Sequence, residues 1–170
     1  MKKKDNLTAL EFFIKIIKNQ EIKLIDLNFE ANPNIRGIFG DEKEIKRTLE
    51  FTLEGIGIGE GKNKRKKSII LSGKYIINFQ DILEKGGDEE KLISANLTYE
   101  LILFFEAKDF NKFKKEFRFQ NNEEVFDIAD MFFIHSGRLI IFPYVRHIID
   151  MLMREAGIIT SPIKPLMFKK

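Results

Sequence analysis

The stretch GRLIIFPYVRHIIDMLMREAG, residues 137–157, sets a proline inside an apolar run that otherwise favours helix. Val145, Ile148, Ile149 and Leu152 recur at i, i+3, i+4 and i+7, the spacing of one buried helical stripe. Pro143 has no amide hydrogen, and its ring collides with the turn before it in a helix interior. It is tolerated in a first turn, where no intrahelical bond is lost. Phe142-Pro143-Tyr144 therefore marks either the start of a C-terminal helix or a kink between Leu139 and Val145.

Upstream of that stretch the apolar period changes to two. Ile25, Leu27 and Phe29 alternate with polar partners, as in a strand with one covered face. Before them, Leu10 to Ile17 fits either a short amphipathic helix or an extension of that strand. In EIKRTLEFTLEG, residues 44–55, Ile45, Leu49, Phe51 and Leu53 share one parity, and Arg47 is the single exception. Ile69, Leu71, Tyr75, Ile77 and Phe79 form the face of a long strand, with Gly73 as a bulge or bend. Leu97, Tyr99, Leu101, Leu103 and Phe105 give another, and Phe113, Phe117 and Phe119 a last one. Four or five antiparallel strands with one apolar face need a cover, and the long helical pattern at the C-terminal end supplies it. The expectation is an α+β fold in a single domain, residues 1–170. Strands occupy about 20–128, the main helix about 139–156 and a Pro-containing tail 157–170.

Composition agrees with one domain of ordinary size. The 170 residues are 44% hydrophobic and 32% charged, and a chain of this length buries roughly 70% of its unfolded surface. The absence of cysteine removes disulfides, thiolate zinc sites and thiol catalysis, and fits a reducing compartment. Asp5, Glu11, Lys15 and Lys18 interrupt the N-terminal apolar run, so no signal peptide is expected. No run approaches the roughly 20 apolar residues of a membrane span, and a cytoplasmic protein is expected. A net charge of +3 is too mild to indicate nucleic acid. The 17 phenylalanines partly reflect compositional drift, but Phe, Ile and Leu together exceed what one sheet and one helix can cover, which predicts apolar surface reserved for partners.

The constellations that resemble chemistry do not hold together. GIGIGEGKNK, residues 55–64, matches neither a dinucleotide fingerprint nor a P-loop, because Asn63 follows Gly61-Lys62 where Ser or Thr is required. It reads as a flexible hairpin tip. KNKRKK, residues 62–67, has five basic residues. A nucleic-acid-binding module using that loop is the alternative function, although no stacking platform or recognition helix accompanies it. His135 and His147 lack ligand spacing, and His147 reads as a surface partner of Asp150. Glu89-Glu90 and Glu123-Glu124 read as solvated loops. No catalytic residue, metal site or cofactor is expected.

The sequence IIFPYVRHIIDMLMREAG resembles the main helix of the SecB export-chaperone family, in which an aliphatic pair precedes Phe-Pro-Tyr-x-Arg and an amphipathic helix. Ile141 takes the aliphatic position, and Phe142, Pro143, Tyr144 and Arg146 the motif. GIITSPIKPLMF, with Pro162 and Phe168, is similar to the extended segment after that helix. LIDLNFEANP is similar to the end of the first strand, and EVFDI, residues 124–128, to the close of the fourth. The resemblance implies a four-stranded antiparallel sheet, with subunits assembled as a tetramer (a dimer of dimers) or as a dimer. Ile141, Phe142, Pro143, Tyr144, Arg146, Ile149 and Leu152 would then serve as scaffold at or near subunit packing.

It also implies an ATP-independent holder of unfolded or nascent polypeptide, with no cofactor. The client groove it implies runs between Ile35, Ile38 and Phe39 on one side and Ile163, Leu166, Met167 and Phe168 on the other. Gly37, Gly40, Pro162 and Pro165 deny those residues a regular element that would bury them. The alternative for the tail is to fold back over the sheet edge. Three departures from the family stand out: an extra strand at 44–54, a short connection between EVFDI and IIFPY, and a basic end at Phe168-Lys169-Lys170 in place of a second helix and acidic tail. The SecA motor depends on that acidic tail. A holder for a restricted client set therefore fits better than a housekeeping export factor coupled to SecA, with protein export and a dedicated client such as an antitoxin as the two alternatives.

Overall fold

The computed structural model describes residues 3–33, 45–63, 66–85 and 88–158. Helix α1 (Lys3–Ile16) runs directly into β1 (Ile17–Ala31). Three long strands follow, β2 (Ile45–Asn63), β3 (Lys66–Lys85) and β4 (Asp88–Glu106). After them come α2 (Ala107–Glu116), α3 (Asn122–Phe132), a π-helical turn (Phe133–Gly137) and α4 (Arg138–Glu155). The strands form a four-stranded antiparallel sheet in the order β1-β4-β3-β2, so β1 and β2 are its edges.

The chain forms two compact units. The first holds residues 1–23, 53–75 and 100–138, and the second 24–52, 76–99 and 139–170. Each strand therefore belongs partly to one unit and partly to the other.

The first unit is built on phenylalanine. Ala9, Phe13 and Ile16 are buried at i, i+4 and i+7 of α1, which settles the 10–17 segment as helix. The Phe13 ring lies 5.1 Å from Phe105 of β4 and 5.8 Å from Phe113 and Phe132. Phe110 and Phe119 close the cluster. Among the described residues, no phenylalanine is one of the exposed large hydrophobic side chains. The large exposed apolar side chains are instead mainly Leu and Ile, among them Leu24, Ile25, Leu27, Ile58 and Leu139, while Phe39 and Phe168 lie outside the described residues.

Two expected strands are helices. Residues 113–120 fall on α2 and its exit, where Phe110, Phe113 and Phe117 sit at i, i+3 and i+7. Helix α2 ends on Arg118, whose φ of 55° lies in the left-handed region, while Phe119 N–H donates to Lys114 O at 2.9 Å. EVFDI, residues 124–128, lies in α3. The Asn121 side chain caps that helix by accepting from Glu124 N–H at 3.1 Å, and Glu124 accepts from Gln120 N–H at 2.7 Å. Both burial and caps explain the difference: α3 buries Val125, Ile128, Ala129 and Phe132 on one helical face.

The register of β2 on β3 shifts once along the strand. Glu54 pairs with Lys74 at 2.5 Å, even with even. Farther along, a Cβ on Gly57 would lie 3.1 Å from Ser72 Oγ, and Ser68 Oγ donates to Gly61 O at 3.2 Å, odd with even. Burial alternates without a break along β3 from Leu71 to Leu83. The extra residue therefore sits in β2 between Glu54 and Gly57, as a β-bulge. Gly73, expected to be the bulge, instead makes room for Phe133, whose ring would lie 2.5 Å from any Cβ there. The glycine run 55–61 is strand, not hairpin tip. Of the expected extra strand at 44–54, residues 45–54 belong to the second of four strands.

The π turn is held by β3. Tyr75 is fully buried, and its hydroxyl donates to Phe133 O at 2.7 Å. A side chain on Gly137 would overlap that hydroxyl. Burial raises the Tyr75 pKa above its ordinary value of 10.0, an effect opposed by the charge of Arg138 and assisted by that of Asp130.

In the second unit, α4 buries Ile141, Phe142, Val145, Ile149 and Met153. It ends through Gly157, at φ 75°, with Ile158 N–H donating to Met153 O at 2.8 Å. Pro143 is not a helix start. It lies in the interior of α4 on the exposed side.

Candidate functional site

The second unit leaves its apolar side chains open in two places. One is edge strand β1, where Leu24, Ile25 and Leu27 are all exposed, Ile25 to 54%. Leu24 and Ile25 are neighbours in the strand and point to opposite faces, so neither face of this edge is covered. The end of β1 is tied down by Asn32 N–H donating to Leu92 O at 2.9 Å, and Lys91 lies 3.5 Å from Glu30. The strand is thus positioned on β4, and among the described residues no other strand pairs with its outer edge. Pairing of another extended chain along such an edge satisfies its N–H and C=O groups, and alternate side chains add apolar contact.

The other is the outer stripe of α4. Tyr144, 52% exposed, and Met151 lie two turns apart, with half-buried Ile148 between them. Leu139 is also exposed.

The residues expected to act as scaffold divide accordingly. Ile141, Phe142 and Ile149 are core, and Phe142 lies 6.5 Å from the ring of Phe51 on β2. Leu152 is partly covered, and Pro143 and Tyr144 are on the surface. Arg146 pairs with Asp150 at 3.6 Å, one helical turn on. That pair takes the carboxylate that the sequence assigned to His147. The expected groove residues Ile35, Ile38, Phe39, Ile163, Leu166, Met167 and Phe168 lie outside the described residues. So do Lys64 and Arg65 of the basic run, whose neighbours Asn63 and Lys66 close β2 and open β3.

Sequence reading missed the exposure of β1, because Ile25, Leu27 and Phe29 fit a one-faced strand. The signal available was Leu24 beside Ile25, apolar residues on both parities. Among the described residues, no group of three or more His, Asp or Glu is placed to hold a metal ion. No helix there is long and apolar enough to cross a membrane.

No protein-family model matches the sequence, and no curated protein does. Among solved structures, the chain is similar to the Mycobacterium tuberculosis SecB-like chaperone Rv1957 in complex with a ChAD peptide from the Rv1956 HigA1 antitoxin. The TM-score is 0.58 at 11% identity, over 96% of this chain and 99% of that one. A match of that extent at so low an identity rests on the course of the backbone, and it gives this chain the fold of the SecB-like chaperones.

Proposed function

We propose that this protein is a cytoplasmic, ATP-independent holding chaperone, which keeps unfolded polypeptide in an extended state on the open edge of β1. The observation that carries the reading is the joint exposure of Leu24, Ile25 and Leu27 on an edge strand of a SecB-like fold. An unfolded client offers extended backbone and apolar side chains, which complement the outer edge and the exposed side chains of β1. Ile35, Ile38 and Phe39, which follow β1 in sequence, and Ile163, Leu166, Met167 and Phe168 extend the proposed client path. The exposed stripe of α4 serves assembly between copies. The antitoxin peptide on Rv1957 supports a dedicated client of that kind over general export.

The test replaces Leu24, Ile25 and Leu27 together by threonine, which keeps β propensity and removes apolar area. Light scattering of an aggregating, denatured reporter protein is the readout, with thermal unfolding as control. The wild type is expected to suppress aggregation, and the triple variant to lose most of that effect while melting as before. Equal suppression by variant and wild type, or none by the wild type, refutes the reading.

A further inference from the structure

In the first unit, helix α2 carries its cations in a column. Lys108, Lys112 and Lys115 recur at i, i+4 and i+7, within about 60° of one another around the axis and about 10 Å along it. All three are exposed, on the side opposite the buried rings of Phe110 and Phe113. Only the helical period aligns them. Five basic residues against two acidic ones in 107–118 give this short segment the same net charge, +3, as the entire chain. The mild overall balance thus hides a local concentration. The acids stand to the side of the column. Lys18 of β1 bonds Asp109 at 3.0 Å and holds its carboxyl below the ordinary range, with the charges of Lys108 and Lys112 assisting, and Glu116 lies on the same flank. Glu106 pairs with Lys108 at 3.1 Å, whereas Lys112 and Lys115 form no ion pair among the described residues. Like charges at i, i+3 and i, i+4 weaken a helix, so α2 keeps this column against its own stability.

The chemistry of the column selects its partner. Protein interfaces gather apolar and aromatic side chains at their centre and are depleted in lysine, and no large apolar residue of α2 is exposed. A membrane surface needs a free apolar helix face, and that of α2 is buried. Ammonium groups in a row, each a point charge without the fork of arginine, suit the regularly repeated phosphates of a nucleic acid. A helix laid down on its apolar side does not enter a groove, so a flexible single strand fits better than a duplex. RNA is the nucleic acid that a cell holds single-stranded over long stretches. We propose that Lys108, Lys112 and Lys115 form a contact surface for the phosphate backbone of single-stranded RNA, bound without base preference. Binding there is independent of client holding on β1.

The experiment measures fluorescence anisotropy of a labelled oligouridylate on the full-length protein and on its Lys108→Gln/Lys112→Gln/Lys115→Gln variant. Three single-strand phosphate contacts predict that the wild-type affinity falls about 20-fold more than the variant's between about 50 mM and about 200 mM salt. At about 50 mM the variant is therefore expected to bind at least about 20-fold more weakly, while melting as the wild type does. The Lys108→Arg/Lys112→Arg/Lys115→Arg variant keeps the charge and should bind as the wild type. An oligoadenylate should bind as tightly as the oligouridylate, since backbone contacts carry no base information. No wild-type binding at the lower salt, or a glutamine variant with the wild-type affinity and salt dependence, overturns the proposal. So does tighter binding of polyglutamate, duplex DNA or anionic vesicles through the same three lysines. If the wild type suppresses no aggregation yet binds RNA through the column, the surface stands and the holding reading falls.

Discussion

Arg47 is the residue at which an irregular sequence pattern has a definite structural cause. It breaks the apolar parity of residues 45–53 because that parity faces a buried carboxylate. Asp81 is fully buried on β3, and Arg47 meets it with two bonds, Nε to Oδ1 at 2.8 Å and an Nη to Oδ2 at 2.7 Å. The guanidinium also lies 5.5 Å from the centre of the Phe79 ring. A planar fork bonding both oxygens and stacking on a ring is a geometry that lysine does not reproduce. Desolvation offsets much of the attraction in a buried pair, so the cost of losing one partner lies mainly in the charge left behind. Arg47→Ala is expected to lower stability by about 3–5 kcal/mol in urea denaturation, whereas Arg47→Leu with Asp81→Leu recovers most of the loss. If the double variant is as unstable as the single one, the pair does more than neutralise itself.

At the scale of elements, the π turn is a clamp with a pH signature. The Tyr75 hydroxyl is needed in its protonated form, because it donates to Phe133 O. Its pKa in the folded protein is raised above the ordinary 10.0, so the stabilisation is complete below pH 10 and is lost as pH rises from there through the folded value. Tyr99 is raised in the same direction by burial. Tyr75→Phe is therefore expected to cost about 1 kcal/mol at neutral pH. It should also flatten, in part, the loss of stability expected in urea melts as pH rises above about 10. An unchanged slope would place the proton elsewhere. The sequence made β2, β3, β4 and α4 legible through long periodic runs, but α2 and α3 were not. Phe113, Phe117 and Phe119 fit a strand as well as Phe110, Phe113 and Phe117 fit a helix, and a run that short has no preferred period. The capping pair Asn121 and Glu124 was the decisive local signal for α3. The clamp was illegible because Gly73 and Gly137 answer to Tyr75 and Phe133, contacts that only the tertiary fold creates. The open face of β1 was half legible, since Leu24 beside Ile25 shows two apolar parities but not what covers them.

For the whole molecule, the fold brings with it a question of assembly that the two faces of α4 answer differently. Ile141, Val145, Ile149 and Met153 are spent on the core of the second unit. Tyr144, Ile148 and Met151 form a separate stripe, on which Tyr144 and Met151 are exposed. A helix apolar on more than one stripe is one that meets a second partner. In a homo-oligomer the simplest partner is the same stripe of another copy, related by a two-fold axis. Charge on this stripe should then break assembly without touching the core, because both side chains are already half in solvent. Light scattering is expected to find the wild type as more than one copy at micromolar concentration, and Tyr144→Glu with Met151→Glu as a monomer with a cooperative melt. A wild type that is monomeric throughout would remove assembly from the proposal and leave the stripe open to clients. A variant that keeps its assembly would move the interface to β1, where the threonine triple variant should then be the one that dissociates.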